Sequence, residues 1–207
     1  MKKLLLTTLF LLGLSTQAIA ADTPLALIQD TSAQVLELLK KDDGKNTARI
    51  RTQVETFVIP KFDFTRMTAL AVGRGWRDAT PEQKDALARE FQTMLVRTYS
   101  GTMTRFKNAS VNIKPNVTLN NEGREATVKS EITTGSNNGN GSKPVNVDYV
   151  LYKTAQGWKV FNVSVEGASL VTVYRNQFSD EIRKNGLDGL IRALQDKNAK
   201  LARGASA

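Results

Sequence analysis

The feature that most constrains the fold is the spacing of apolar residues, which changes twice along the chain. Before Asn108 these residues recur every three or four positions, which is the spacing of amphipathic helices. Between Val111 and Val165 they alternate with polar residues, as in β-strands, and after Ala168 the helical spacing returns. This order predicts an α+β fold in which a four-stranded, twisted antiparallel sheet packs against a layer of helices on one of its faces.

Local signals predict where the helices begin and end. The first helix spans Pro24–Lys40, and the second stops at Pro60 because the residue before a proline disfavours helical backbone. The segment Thr80–Gln83 combines a capping box with a proline at the first helical position, which predicts the start of a long helix. Gly186 is predicted to divide the C-terminal region into two helices.

The alternating region predicts four antiparallel strands. Turn residues separate the first pair near Asn120–Gly123 and the last pair at Thr154–Gly157, and a Gly/Asn/Ser stretch from Gly135 to Pro144 predicts a mobile hairpin loop. The strands are expected around Val111 and Ile113, from Ala126 to Ile132, from Val145 to Leu151, and from Trp158 to Val165.

The N-terminus has the pattern of an export signal. Lys2 and Lys3 precede an apolar run from Leu4 to Leu14, and Ala18-Ile19-Ala20 resembles a cleavage site. The run is far shorter than the ~20 residues that a membrane-spanning helix needs. We therefore predict a cleaved signal peptide at 1–20, a single domain at 21–203 and a frayed tail at 204–207.

Composition removes several kinds of chemistry. The chain contains no cysteine and no histidine, which excludes thiolate catalysis, a Ser/His/Asp triad and metal sites built on either residue. Its formal net charge of +9 suggests acidic partners, which for an exported protein are anionic lipid headgroups or acidic protein surfaces rather than nucleic acid. A basic surface that serves only solubility is the alternative.

The last two predicted strands carry more apolar surface than one buried face requires. Val150 lies between Tyr149 and Leu151, and Val160 adjoins Phe161, so both faces of this hairpin are expected to be partly dry. Either an apolar pocket lies between the sheet and the helices, or the core is ordinary and somewhat rich in aromatic residues.

Two blocks of sequence make the pocket the preferred interpretation. The first block is Phe62–Thr80 followed by the helix with Gln83, Phe91 and Tyr99, and the second comprises Gly157–Val160, Val165–Val171, Tyr174–Phe178 and Gly186–Ile191. These blocks resemble the toluene-tolerance, or MlaC, family of periplasmic phospholipid-binding proteins, and the similarity covers nearly the whole chain after the signal.

This resemblance implies a carrier without a cofactor or catalytic residues, working as a monomer in the periplasm of a Gram-negative bacterium. Its ligand would be a diacyl glycerophospholipid, and its partners an outer-membrane lipoprotein–porin complex and an inner-membrane ABC transporter with a mammalian-cell-entry domain subunit. Such a carrier maintains outer-membrane lipid asymmetry. The fold would be a cystatin-like cone whose apolar pocket reaches or exceeds the top of the ~300 to 1,000 Å³ range of ligand sites.

The resemblance also maps the pocket onto the sheet and the helices packed on it. Arg74, Arg77 and Arg175 are candidates for headgroup or partner contacts because a guanidinium suits phosphate, although a solvated face would explain them equally. The residues expected to contact acyl chains are Met67, Leu95, Val147, Tyr149, Leu151, Val160, Val165, Val171 and Tyr174.

Two other functions remain open. Some cystatin-like cones are isomerases that use a buried carboxylate with a tyrosine, and Asp148 or Glu166 beside Tyr149, Tyr152 or Tyr174 would supply the residues for a small apolar substrate. A basic binding module with no pocket would instead show strongly salt-dependent association.

Overall fold

The computed structural model describes residues 22–134 and 143–204. The predicted signal peptide, residues 135–142 of the predicted hairpin loop and residues 205–207 lie outside these ranges. Within them, no helix combines the length and the apolar character required to cross a membrane. The helices are α1 (Pro24–Lys40), α2 (Thr47–Val58), α3 (Phe64–Val72), α4 (Gly75–Asp78), α5 (Pro81–Ser100) and α6 (Leu170–Gly204), with 3₁₀ turns at Ile59–Lys61 and Met103–Phe106.

Capping residues fix the helix starts, and the predicted capping box at Thr80 is confirmed. The Thr80 hydroxyl accepts a hydrogen bond from the Gln83 amide at 3.2 Å, and the Gln83 side chain accepts one from the Thr80 amide at 3.1 Å. Asp63 caps α3 by accepting from the Arg66 amide at 2.7 Å. Gly186, with φ of 69°, interrupts α6, which confirms the predicted division into two helical halves.

Within the described residues the sheet has six strands rather than the predicted four. The predicted strands correspond to β1 (Ser110–Ile113), β3 (Glu125–Thr133), β4 (Val145–Thr154) and β5 (Gly157–Val165). The two additional strands, β2 (Thr118–Asn120) and β6 (Ala168–Ser169), are too short to show an alternating pattern. All pairings are antiparallel in the order β1-β3-β4-β5-β6, and β2 extends the same edge of β3 that β1 occupies.

A β-bulge lies in the middle of the central hairpin. Leu151 is opposite Val160, whereas Val150 is opposite Asn162, so Phe161 is the extra residue on β5. Val160 and Phe161 pack into different apolar clusters, one on each side of the sheet. Because of the extra residue, Val160 and Val163 pack in the same cluster although they are three positions apart.

Helices cover both faces of the sheet, so the prediction of a single helical layer is wrong. Ile28 of α1 packs with Val128, Leu151 and Val160 on one face, which we call the α1 face. Helices α3, α5 and α6 pack on the opposite face, which we call the α6 face, where Phe161 of β5 joins their buried side chains. The apolar residues on both sides of the β4–β5 hairpin follow from this double cover.

The α6 face carries a large cluster of buried apolar side chains. Phe91 of α5 is fully buried, and its ring lies 5.0 Å, centroid to centroid, from both Tyr174 and Phe178 in edge-on geometry. The buried members of this cluster are Met67, Ala71, Val72, Leu87, Phe91, Met94, Leu95, Phe161, Val171, Phe178, Leu190 and Leu194.

Candidate functional site

An apolar cavity of about 260 Å³ lies on the α1 face, between the sheet and helices α1 and α2. Its walls come from both helices, from both 3₁₀ turns and from strands β1, β3, β4 and β5. The described lining residues are Leu27, Ile28, Thr31, Ser32, Val35, Leu36, Leu39, Val54, Val58, Lys61, Phe62, Met103, Phe106, Ala109, Val111, Ile132, Tyr149 and Val160.

The helical wall is built by residues at helical spacing. Ile28, Val35 and Leu39 recur along one side of α1, and Val54 and Val58 do the same on α2. Leu39 and Val54 also belong to a cluster that joins α1 to α2 and to the Met103–Phe106 turn. Much of the apolar contact of α1 and α2 is thus made with each other rather than with the sheet.

Few polar groups reach this cavity. Among its described lining residues Lys61 alone carries a charge, and its Nζ lies 5.3 Å from the centroid of the Phe57 ring. Thr31, Ser32 and Tyr149 contribute hydroxyl groups. Burial raises the pKa of Tyr149, and a side-chain hydrogen bond with Ser130 partly opposes that shift, so the phenol is neutral at physiological pH.

The predicted acyl-chain residues divide between the two faces. Tyr149 and Val160 line the cavity, and Leu151 is fully buried beside it on the α1 face. Val147 and Val165 lie on the same face by alternation and register, Val147 buried and Val165 38% exposed.

The other predicted acyl-chain residues lie across the sheet. Met67, Leu95, Val171 and Tyr174 all belong to the apolar cluster of the α6 face or pack against it. Burial, and secondarily the neighbouring Tyr99, raises the pKa of Tyr174 to about 12. Met67, Leu95 and Val171 are buried in this core, and Tyr174 lines a separate surface pocket on the same face, so none of the four lies at the cavity.

Sequence reasoning missed most of the cavity wall. The predicted acyl-chain residues came from the sheet and from α3, α5 and α6, whereas α1, α2 and the two 3₁₀ turns supply much of the lining. The amphipathic pattern of α1 was visible, but it is the same for a helix on a solid core and for one over a cavity. The cavity is also smaller than expected, because 260 Å³ falls below the range of ~300 to 1,000 Å³.

The residues suggested for acid–base catalysis do not form the required pair. Asp148 and Tyr149 are neighbours in β4 and point to opposite faces. Glu166 is exposed, and its Oε1 accepts a hydrogen bond from the Asn146 amide at 2.5 Å. Among the hydrogen bonds of the described residues, neither carboxylate has a tyrosine partner.

A different carboxylate and tyrosine do meet, beside α3. The Tyr152 hydroxyl donates to Asp63, and this hydrogen bond, followed by burial, raises the pKa of Tyr152. The Arg66 guanidinium lies 4.1 Å from the centroid of the Tyr152 ring and 4.4 Å from that of Phe161, and it donates to Glu125 at 2.7 Å. Because Asp63 is also the N-cap of α3, this cluster fastens the helix to the sheet.

The candidate headgroup arginines are brought together, but away from the apolar cavity. Arg74, Arg77 and Arg175 line one cleft with Arg183, at the junction of α3, α4 and α6. These elements belong to the α6 face, so the sheet lies between this cleft and the cavity. In the part of the chain that the structure describes, no group of three or more acidic residues is placed to hold a metal ion.

Fold and cavity together define the class: an α+β protein with an antiparallel sheet, helices on both faces and a hydrocarbon-lined cavity under one helical layer. A family model described as MlaC protein matches residues 29–196. The chain therefore belongs to the MlaC family, as the sequence resemblance predicted.

Two known proteins are similar to the chain over most of its length. It is 28% identical over 174 residues to the toluene tolerance protein ttg2D of Pseudomonas putida, which covers 82% of this chain and 78% of that protein. It is 34% identical to a phospholipid-binding protein from Ralstonia solanacearum whose structure was solved in complex with a phospholipid. The TM-score is 0.73, and the match covers 86% of this chain and 97% of that one.

Proposed function

We propose that this protein binds a diacyl glycerophospholipid with its acyl chains in the cavity of the α1 face and carries it through the periplasm. The observation that carries the proposal is the apolar lining of that cavity. Among the described lining residues, Lys61 alone is charged. Support also comes from the similar Ralstonia solanacearum protein, which holds a phospholipid. No catalytic step is part of the proposal.

Hydrophobic transfer energies fit such a carrier. Each buried methylene contributes about 0.8 kcal/mol, and two ordinary tails with roughly 28 methylenes gain on the order of 20 kcal/mol from leaving water. The free energy that acyl chains gain in the carrier must nearly match what they gain in the bilayer. A less favourable site would not extract lipid, and a much more favourable one would not release it. An apolar cavity without strong specific contacts meets this requirement.

Accommodating two tails requires the cavity to enlarge. We propose that α1 and α2 move away from the sheet as a pair, because the cluster of Leu39, Ile50 and Val54 holds them to each other. Side chains with several rotatable bonds, such as Met103 and the leucines of α1, adapt readily to a changing volume. The core on the α6 face stays in place during this motion.

Lys61 is our candidate for contact with the lipid phosphate. Its backbone is held by the 3₁₀ turn and by the next two residues, since Phe62 forms a bridge with Val160 and the Asp63 amide donates to the Val160 carbonyl at 2.9 Å. An ammonium at the edge of a hydrocarbon cavity complements an amphiphile with an anionic head. The headgroup itself would remain in water.

The proposed route connects two membranes. The exported protein would exchange phospholipid with an outer-membrane lipoprotein–porin complex and with an inner-membrane ABC transporter that has a mammalian-cell-entry domain subunit. It would thereby maintain the lipid asymmetry of the outer membrane. Membership of the MlaC family supports this assignment of compartment and partners.

Lipid content of the purified protein tests the proposal. The full precursor is expressed in a Gram-negative host, and the protein released from the periplasm is studied by native mass spectrometry and by lipid extraction. We expect co-purified phospholipid. Val35→Glu, in the cavity wall, should lower lipid occupancy at least about tenfold because an unpaired charge in hydrocarbon costs several kcal/mol.

A matched control places the same charge outside the cavity. Val173 is 42% exposed on α6, so Val173→Glu should retain wild-type occupancy. Wild-type protein that co-purifies without phospholipid and takes none from vesicles would refute the proposal. Normal occupancy in Val35→Glu would show that the lipid lies elsewhere.

A further inference from the structure

The cleft on the α6 face has a strong and uniform charge. Arg74, Arg77, Arg175 and Arg183 line a concave space of about 600 Å³, and none of its described lining residues is acidic. Its other lining residues are Val72, Gly73, Gly75, Ser179 and Ile182. Four guanidinium groups facing one cleft repel each other unless an anion lies between them.

The protein itself supplies little compensating charge. Arg183 pairs with Asp180 at 2.9 Å within α6, and the Arg175 Nε donates to the Leu70 carbonyl at 2.8 Å. Within residues 22–134 and 143–204, Arg74 and Arg77 form no ion pair. Most of the donor capacity of the cleft is therefore available to an external anion.

The backbone under these arginines is rigidly supported. A Cβ atom at Gly75 would lie 3.3 Å from Leu187 Cδ2 and 3.6 Å from Ile182 Cδ1, so α4 approaches α6 as closely as a glycine allows. Trp76 of α4, which lies between the exposed Arg74 and Arg77 in sequence, packs against the core of the α6 face. The guanidinium groups thus project from a fixed framework, which reduces the entropy lost when a partner binds.

The shape and surroundings of the cleft distinguish between possible anionic partners. Proteins that bind a bilayer surface insert exposed aromatic or aliphatic side chains beside their basic residues. None of the large apolar side chains exposed in the described part of the chain, Tyr99, Leu119, Val145, Val165 and Val173, lines this cleft. A concave basic cleft without such anchors fits projecting carboxylates, to which guanidinium groups bind in bidentate geometry.

We propose that the cleft formed by Arg74, Arg77, Arg175 and Arg183 is a docking site for an acidic protein surface, whose Asp and Glu side chains enter it. The sheet separates this site from the cavity of the α1 face, so a docked partner need not cover the lipid. The inference does not depend on what the cavity holds, and its test includes a readout independent of lipid content.

Binding of a defined acidic probe tests the proposal. The mature protein is titrated against fluorescein-labelled hexaglutamate, with anisotropy as the signal, and separately against phosphatidylcholine vesicles that contain phosphatidylglycerol. Arg74→Glu/Arg77→Glu should weaken peptide binding at least about tenfold, because rim charges dominate such association. Arg74→Gln/Arg77→Gln should have a smaller effect of the same sign.

A charge-matched variant provides the control. Arg192→Glu/Lys200→Glu makes the same change in net charge at exposed positions of α6 outside the cleft, and it should alter peptide binding no more than about twofold. All variants should keep the wild-type melting temperature and phospholipid content. Equal losses in the cleft and control variants would overturn the proposal, as would loss of vesicle binding with peptide binding retained, which would identify a bilayer as the occupant.

Discussion

The two faces of the sheet are covered by helices in different ways. On the α6 face, α3, α5 and α6 interlock around Leu87 and Phe91, which are fully buried. On the α1 face, α1 and α2 leave a cavity of about 260 Å³ against the same strands. One sheet therefore carries a buried core on one side and a cavity on the other, and different helices build the two.

Truncating a leucine on each face should give the largest difference. Leu87→Ala removes side-chain volume from the solid core and is expected to cost about 2–5 kcal/mol in the free energy of unfolding. Leu36→Ala only extends an existing space, so we expect a loss below about 1 kcal/mol. Urea denaturation of both variants measures this difference, and equal losses would contradict the contrast between the faces.

Adding side-chain volume should also affect the stability of the two faces differently. Ala71→Leu overpacks α3 against a filled core and should destabilise the protein by about 1–3 kcal/mol. Ala109→Leu extends into the cavity, so its stability should stay within about 0.5 kcal/mol of wild type while phospholipid content falls. If both variants lost stability alike, the cavity would not be available space.

A pH titration sharpens the comparison on the α6 face. Burial and Tyr99 raise the pKa of Tyr174 to about 12, against an ordinary value near 10. The folded protein favours the neutral phenol, so this stabilisation is complete below pH 10 and is lost as the pH rises towards about 12. Tyr174→Phe should therefore reduce the decline in unfolding free energy between pH 9 and pH 11.

The decline in Tyr174→Phe should be smaller but still present, since the pKa of Tyr149 and that of Tyr152 are also raised. Urea denaturation at the two pH values provides the measurement. A decline identical to that of the wild type would mean that Tyr174 ionises as freely in the folded protein as in the unfolded one.

The order of the elements followed from sequence because its signals are local. The capping box at Thr80, the helix break at Gly186 and the turn at Thr154–Gly157 each depend on residues within one or two turns of backbone. The four long strands were equally visible as alternating runs, and the family resemblance came from contiguous blocks.

Which face each helix covers could not be predicted in this way. The apolar stripe of α1 identifies a buried side of the helix but not the sheet face beneath it, so the helices were placed in one layer. The wall residues of the cavity, such as Val35 and Met103, meet only through long-range packing. Lys61 and Arg183 were missed because single charged residues carry no spacing signal.

The bulge at Phe161 has a consequence for how this fold tolerates changes in length. Val160 and Val163 lie one on each side of the bulge and contribute to the same α1-face cluster. If the extra residue were absent, these two side chains would be two positions apart and would still share that face. The insertion thus adds an aromatic ring beneath Arg66 on the opposite face while leaving the α1-face surface of the strand unaltered. A single inserted residue, normally disruptive in a strand, here adds packing on the α6 face without changing which β5 side chains lie on the α1 face.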